Sequence, residues 1–268
     1  MFQMKFPEKF KGADYVEWHH QECPIDIDLP AKLDQLRLDL KTNTHENLLF
    51  LSELISFFIK GARQEYKNTN KSTNPPEYEN AIQKALTEKK KGNEDNYNLL
   101  FKTTSSIINK QWRKYAKEKK IIPLESIKTT FTDLIRTEII ADTLESAAFL
   151  AKRFKRGLIN SKLMEVKYDK NISDIEIEPE MKMNSGYFAY HILVNYKDGT
   201  TVEVQIYSAI IKKWRDLSRT LYDSERINPT EVHEFATTES RLISLGHLFH
   251  IAECEIQSLQ QALRNKSH

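Results

Sequence analysis

Two neighbouring segments decide the fold: Ser185-Gly-Tyr-Phe-Ala-Tyr-His-Ile-Leu-Val194 and Thr201-Val-Glu-Val-Gln-Ile206. Each alternates apolar and polar residues and is rich in β-branched and aromatic side chains, the period-two pattern of a strand. Asp198-Gly199 lies between them and is a strong two-residue hairpin signal. The polar groups fall at telling places. A glycine–aromatic turn leads into a strand carrying His191, and the partner strand carries a lone carboxylate, Glu203, among apolar neighbours. A carboxylate buried on a central strand is costly unless something satisfies it, and a metal ion or a substrate hydroxyl can do so.

Working outward from the hairpin, strands and helices alternate. Leu134 to Ile140 reads as a strand and Thr143 to Lys155 as a helix, capped by Asp142 or Thr143 with Glu145 and Ser146 in its first turn. Lys162 to Tyr168 and Ile172 to Ile177 are further strand candidates. A helix from Ser208 to Leu221 and a long one from about Pro229 to Leu263 close the chain. This pattern predicts an α+β fold, a mixed β-sheet of about five strands flanked by helices, with a helical N-terminal region. In that region Pro24 and Pro30 punctuate an alternating stretch from Ile25 to Leu29, and helical spacing begins at Leu33. Asn47 to Tyr66 is a strongly apolar helix through Leu51, Leu54, Ile55, Phe58 and Ile59. Helices are also expected over Glu77 to Lys89 and Tyr97 to Lys120. Residues 1–109 are read as the helical region and 110–268 as the sheet-bearing domain with its closing helices.

Composition narrows the setting. The 268 residues hold 40 Lys plus Arg against 38 Asp plus Glu, so a net charge of +2 leaves any basic patch a local matter. No apolar run approaches the roughly 20 residues of a membrane span. The opening residues are too polar for a secretory signal. Cys23 and Cys254 stand far apart, so neither a disulfide framework nor a zinc site is expected, and a cytoplasmic setting is. His19, His20 and Cys23 are potential ligands, but no fourth follows at finger-like spacing.

Asp133 stands directly before the strand beginning at Leu134, at a strand mouth that suits a ligand. Spacing alone also allows it to be a turn residue and Glu203 an edge-strand charge. Taken together, the motifs resemble the RelA/SpoT-type (p)ppGpp synthetase family, whose pattern is Gly-Tyr-x-Ser/Ala-x-His followed by Val-Glu-x-Gln-Ile. The matching positions here are Gly186, Tyr187, Ala189 and His191, then Val202, Glu203, Gln205 and Ile206. The resemblance spans roughly residues 110–265 and keeps its order. Leu124 to Ile127 is similar to the serine-containing segment after the family's first strand, Thr132 to Ile140 to its Asp-Leu strand, and Asp142 to Phe154 to the helix that follows. Trp214 and the closing helix complete the set.

That resemblance implies a nucleotidyltransferase-like fold and a pyrophosphokinase that moves the β,γ-diphosphate of ATP onto the ribose 3′-hydroxyl of a guanine or adenine nucleotide. Asp133 and Glu203 would be catalytic and hold Mg²⁺. Gly186, Tyr187 and His191 would bind the acceptor. Lys120, Ser126, Lys128 and Arg136 would bind ATP, the donor. Lys110, Arg113, Lys114 and Lys117 form a basic stretch for phosphate or RNA. A toxin-type relative would instead modify the 3′ end of tRNA and answer to an antitoxin protein. A third reading is a catalytically degenerate nucleotide- or partner-binding relative. Further copies of the chain are another partner consistent with the resemblance, and a membrane is not.

The departures from the pattern are specific. Glu138 stands where the family has an arginine, with Arg136 two residues earlier on the same strand face. The Glu203 strand ends in Tyr207-Ser208 instead of Arg-Thr, and Arg219 is the nearest substitute for the family's histidine after the tryptophan. Aligned on Ser126, the family's three ATP-side cations fall on Lys120, Ile122 and Thr130.

Overall fold

The hairpin at the centre of the sequence is the centre of the sheet. In the computed structural model, which describes residues 4–70, 75–160, 172–182, 186–227 and 234–266, Gly199 turns the chain at φ +78°. The Asp198 carboxylate accepts hydrogen bonds from the Thr200 amide and hydroxyl, both at 2.9 Å. Five strands follow in chain order: β1 (Tyr78–Asn80), β2 (Ile135–Ala141), β3 (Ile172–Lys182), β4 (Tyr187–Tyr196) and β5 (Thr201–Ser208). They lie side by side as β1-β2-β5-β4-β3. β2 and β5 are parallel and every other pair is antiparallel, so the sheet is mixed, as its sequence implied.

Period two separates the faces. Ile135, Ile139, Ile192, Val194, Val202, Val204 and Ile206 share one face and are all buried. Helix α8 (Leu144–Asn160) packs on the sheet and α3 (His45–Asn70) packs on α8. Phe58 and Phe154 meet there with ring centroids 4.6 Å apart. Each fully buried side chain of this size contributes about 1.5–3 kcal/mol. The same apolar cluster continues into α1 (Gly12–Glu22), α2 (Leu29–Asn43), α4 (Ala81–Lys90), α5 (Asp95–Leu99) and α6 (Thr104–Glu118). The 109/110 boundary read from sequence falls inside α6. Among the described residues no helix is long and apolar enough to cross a membrane.

Several elements depart from their sequence reading. The helix expected over Tyr97 to Lys120 is broken at Leu100–Thr103. There the Lys102 amide donates to the Leu134 carbonyl, the Leu100 carbonyl accepts from the Arg136 amide, and Phe101 bridges Ile135. Those residues serve the mouth of β2, and the Thr103 hydroxyl then caps α6. The helix expected from Glu77 begins only at Ala81, because Tyr78–Asn80 pairs with the end of β2. No strand leads directly into the Ser126 segment: residues 119–123 have no regular structure and α7 (Leu124–Thr130) is a helix. The Lys162–Tyr168 strand candidate, Ser185 and Pro229 lie outside the described residues.

Two further helices follow β5. α9 (Ala209–Ile227) leaves β5 directly, and α10 (Thr238–Lys266) packs on it. The Trp214 indole of α9 donates to the Leu242 carbonyl of α10 at 2.8 Å.

Candidate active site

The face opposite the apolar one carries the polar side chains. Arg136 and Glu138 of β2, Tyr187 and His191 of β4, and Glu203, Gln205 and Tyr207 of β5 share it. Register sets Arg136 beside Glu203, and Glu138 and His191 on either side of Gln205.

At its centre is a hydrogen-bonded chain. His191 Nδ1 lies 2.5 Å from Glu203 Oε1, and the Tyr187 hydroxyl lies 3.2 Å from His191 Nε2. Burial pushes the Glu203 carboxyl up, but the His191 contact, with help from Gln205, brings it below its ordinary value. An ionised carboxylate only accepts, so Nδ1 carries the proton, and in the neutral imidazole Nε2 is left as an acceptor. A carboxylate that fixes an imidazole in this tautomer is the arrangement that makes histidine an effective base.

The second group sits at the mouth of β2. Asp133 is gripped by two ammonium groups: Lys102 Nζ at 2.6 Å from Oδ2, and Lys110 Nζ on Oδ1. Burial opposes ionisation of Asp133, yet the two lysines hold its pKa far below the usual carboxylate range. Lys102 moves the same way for the opposite reason. Burial outweighs Asp133 and pushes the amine down to about 8. Arg136 lies close enough to Lys102 to lower it further, and makes no ion pair with a described residue. Lys102 was hidden in the sequence, because the stretch around it reads as helix interior. Only the break at residues 100–103 turns it toward Asp133.

A third group flanks Tyr187. Glu138 accepts from the Tyr207 hydroxyl, from Lys212 at 3.1 Å and from Arg215 at 3.4 Å. Arg215 also donates to the Tyr207 oxygen at 2.8 Å and stands 6.0 Å from the Tyr187 ring centre. Glu138 is therefore satisfied by Tyr207 and α9, and not by Arg136 on the same strand face. Sequence reading passed over Lys212 and Arg215, which present as ordinary charges on an amphipathic helix.

The remaining sequence candidates are dispersed. Lys120 is exposed between α6 and α7, and Ser126 lies within α7. Lys128 donates to the Asp198 carbonyl at 3.0 Å, tying α7 to the hairpin turn. On α6, Lys110 reaches Asp133, Arg113 bonds Asn109 at 2.9 Å, Lys114 pairs with Glu118 at 3.7 Å, and Lys117 is exposed. Gly186 has φ +69°, and a Cβ there would lie 2.9 Å from the Ile243 carbonyl and the His247 amide. Its backbone is thus pressed against α10, a close approach only glycine permits.

Mg²⁺ demands near-octahedral oxygen donors, usually one or two carboxylates plus phosphates. Here both Asp133 oxygens are bound by ammonium groups and Glu203 Oε1 by an imidazole. This arrangement does not fit a resident Mg²⁺ shared by the two carboxylates.

No protein-family model matches the sequence, and no curated protein matches it. Among solved structures the chain is similar to small alarmone synthetase 1 from Bacillus subtilis bound to its product pppGpp. That match has TM-score 0.49 and 17% identity, and covers 86% of this chain and 98% of the other. The same enzyme bound to AMPCPP matches with TM-score 0.46 and 17% identity, over 87% and 98%. Small alarmone synthetase 2 from the same organism matches with TM-score 0.45 and 15% identity, over 84% and 99%. The likeness is one of architecture.

Proposed function

We propose that this protein is an ATP-dependent pyrophosphokinase of RelA/SpoT type, which transfers the β,γ-diphosphate of ATP to the ribose 3′-hydroxyl of a guanine or adenine nucleotide. The observation that carries the reading is the Tyr187–His191–Glu203 chain on one sheet face with Arg136, and beside it, at the mouth of β2, the cations Lys102 and Lys110 held on Asp133. In-line transfer to phosphorus asks a protein mainly for positioning, charge neutralisation and a nearby base.

The acceptor hydroxyl takes the place of the Tyr187 hydroxyl at His191 Nε2. Its oxygen attacks the β-phosphorus of ATP and its proton passes to Nε2. The bond from the β-phosphorus to the bridging oxygen breaks, and AMP leaves with that oxygen. Glu203 stabilises the imidazolium that forms. Lys102, Lys110 and Arg136 neutralise the donor phosphates, in the place expected of Lys120 and Lys128. The Tyr187 ring offers the acceptor base a stacking surface. No step is assigned to a protein-bound metal, because the carboxylates do not fit one.

A tRNA 3′ end is the second reading. It is favoured by one observation: basic residues continue from Lys110 through Lys114 and Lys117 to Lys119 and Lys120, away from Asp133 and out to the surface. Such a track would give strongly salt-dependent binding.

The test uses purified protein, Mg²⁺ and γ-labelled ATP, with GDP, GTP, ATP or bulk tRNA offered separately. Label on a free nucleotide is the expected result. Label on tRNA alone selects the second reading. No transfer to any acceptor from folded protein rejects both.

A further inference from the structure

Far from the sheet face, the end of α1 and the turn after it bring three different metal-binding side chains together. A ring nitrogen of His19, Cys23 Sγ and one Asp26 carboxylate oxygen lie within 4.8 Å of one another. His19 and Cys23 are one helical turn apart and so project from the same side. The Cys23 amide donates to the His19 carbonyl at 2.7 Å, and the Asp26 amide to the Cys23 carbonyl at 3.0 Å. These bonds fold Asp26 back over the helix end. His19 is fully buried and Asp26 is 4% exposed, while Cys23 is half-buried and leaves an approach from solvent. His20, which the sequence offered as a ligand, points outward and is exposed.

We propose that His19, Cys23 and Asp26 form a zinc-binding site, with water completing a tetrahedron. The donors suit that ion: imidazole nitrogen, thiolate sulfur and carboxylate oxygen are its ordinary ligands, and three with an open position is a recurrent pattern. Metal–ligand bonds of about 2.0–2.1 Å to N and O put tetrahedral donors about 3.3 Å apart. His19 Nε2 and Asp26 Oδ2 now lie 2.9 Å apart, so a few tenths of an ångström admit the ion.

The surroundings agree. His19 Nδ1 lies 3.4 Å from the Tyr15 hydroxyl, the kind of outer contact that orients a metal-bound imidazole and leaves Nε2 free to ligate. Asp26 Oδ2 also accepts from the Leu124 amide at 3.1 Å. The ion would therefore bind the α1–α2 turn to the start of α7, joining segments about a hundred residues apart. This inference does not depend on the pyrophosphokinase reading.

The experiment is zinc titration of the full-length, chelator-treated protein against a chromophoric chelator, with Co²⁺ absorption as a second readout. One zinc per chain is expected, with a thiolate-to-Co²⁺ charge-transfer band and a zinc-dependent rise in Tm. Cys23→Ser should weaken zinc by at least about 100-fold, since even outer contacts are worth 10–100-fold, and should abolish the band. Asp26→Asn keeps an acceptor for the Leu124 amide and should also lose zinc. No stoichiometric zinc, or zinc retained in both folded variants, overturns the proposal.

Discussion

The two main groups of the candidate site are built differently. The Tyr187–His191–Glu203 chain belongs to one hairpin, and its partners are at most 12 residues apart in sequence. The Lys102–Lys110–Asp133 group draws on a break between helices, a helix and a strand mouth, with Asp133 lying 31 residues beyond Lys102. The hairpin group is set by strand register, so its side chains face one another once the Asp198-Gly199 turn closes. The cationic group exists only once Lys102, from the break before α6, and Lys110, from α6 itself, meet Asp133 at the mouth of β2. In the proposed reaction, chemistry divides along the same line: the hairpin would supply a base and its orienting carboxylate, and the strand mouth the charge for phosphates.

The largest expected effect bears on the hairpin. Glu203→Gln removes the charge that stabilises the imidazolium but keeps size and an acceptor. Transfer should fall by about 10³-fold, within the range for general-base catalysis. The urea midpoint should move little. A large loss of stability with proportionate activity would make the pair structural.

Asp133→Asn should show the reverse profile. It leaves a buried ammonium without its counter-charge, since the Lys102 side chain is only 2% exposed. Removing one partner of a buried pair costs about 3 kcal/mol, readable in urea denaturation. A change below about 1 kcal/mol, the worth of an exposed pair, would mean that the lysines reach solvent.

Tyr187→Ala sharpens the division of substrates. Acceptor KM should rise about tenfold, the loss of one base–aromatic stack, with ATP KM nearly unchanged. Equal losses for both substrates would make Tyr187 a packing residue.

The smallest effect is a pH dependence with two opposite signs. Lys102 is cationic below about 8 and neutral above it. ATP affinity should therefore fall as pH rises through 8, and Lys102→Arg should carry that loss to higher pH. Stability at this group runs the other way. Its folded pKa lies below the ordinary 10.5, so the folded state gains between about 8 and 10.5. Measuring both across that window separates a substrate cation from a structural one.

The same contrast explains what could be read from the sequence. Period-two alternation around a glycine turn specifies β4, β5 and the face that each side chain takes, so Tyr187, His191 and Glu203 were legible as a group. Asp133 was legible as a strand-mouth residue. Of its lysine partners, Lys110 was already a phosphate candidate but Lys102 was not, because nothing local in Leu100–Thr103 shows that its amides and carbonyls are needed by β2. β1 was hidden for the same reason. Tyr78–Asn80 has no strand pattern of its own and exists because the end of β2 needs a partner. Aligning on Ser126 led toward Lys120, yet α7 is a helix with no strand leading directly into it, and the cations beside Asp133 come from other segments.

The most direct test of this division is calorimetric binding of a non-hydrolysable ATP analogue to wild-type protein, Lys110→Met and Glu203→Gln. The account predicts at least about tenfold weaker binding for Lys110→Met, the loss of one charge-assisted phosphate contact. It predicts wild-type affinity for Glu203→Gln. Unchanged binding in Lys110→Met, or equal losses in the two variants, would contradict it.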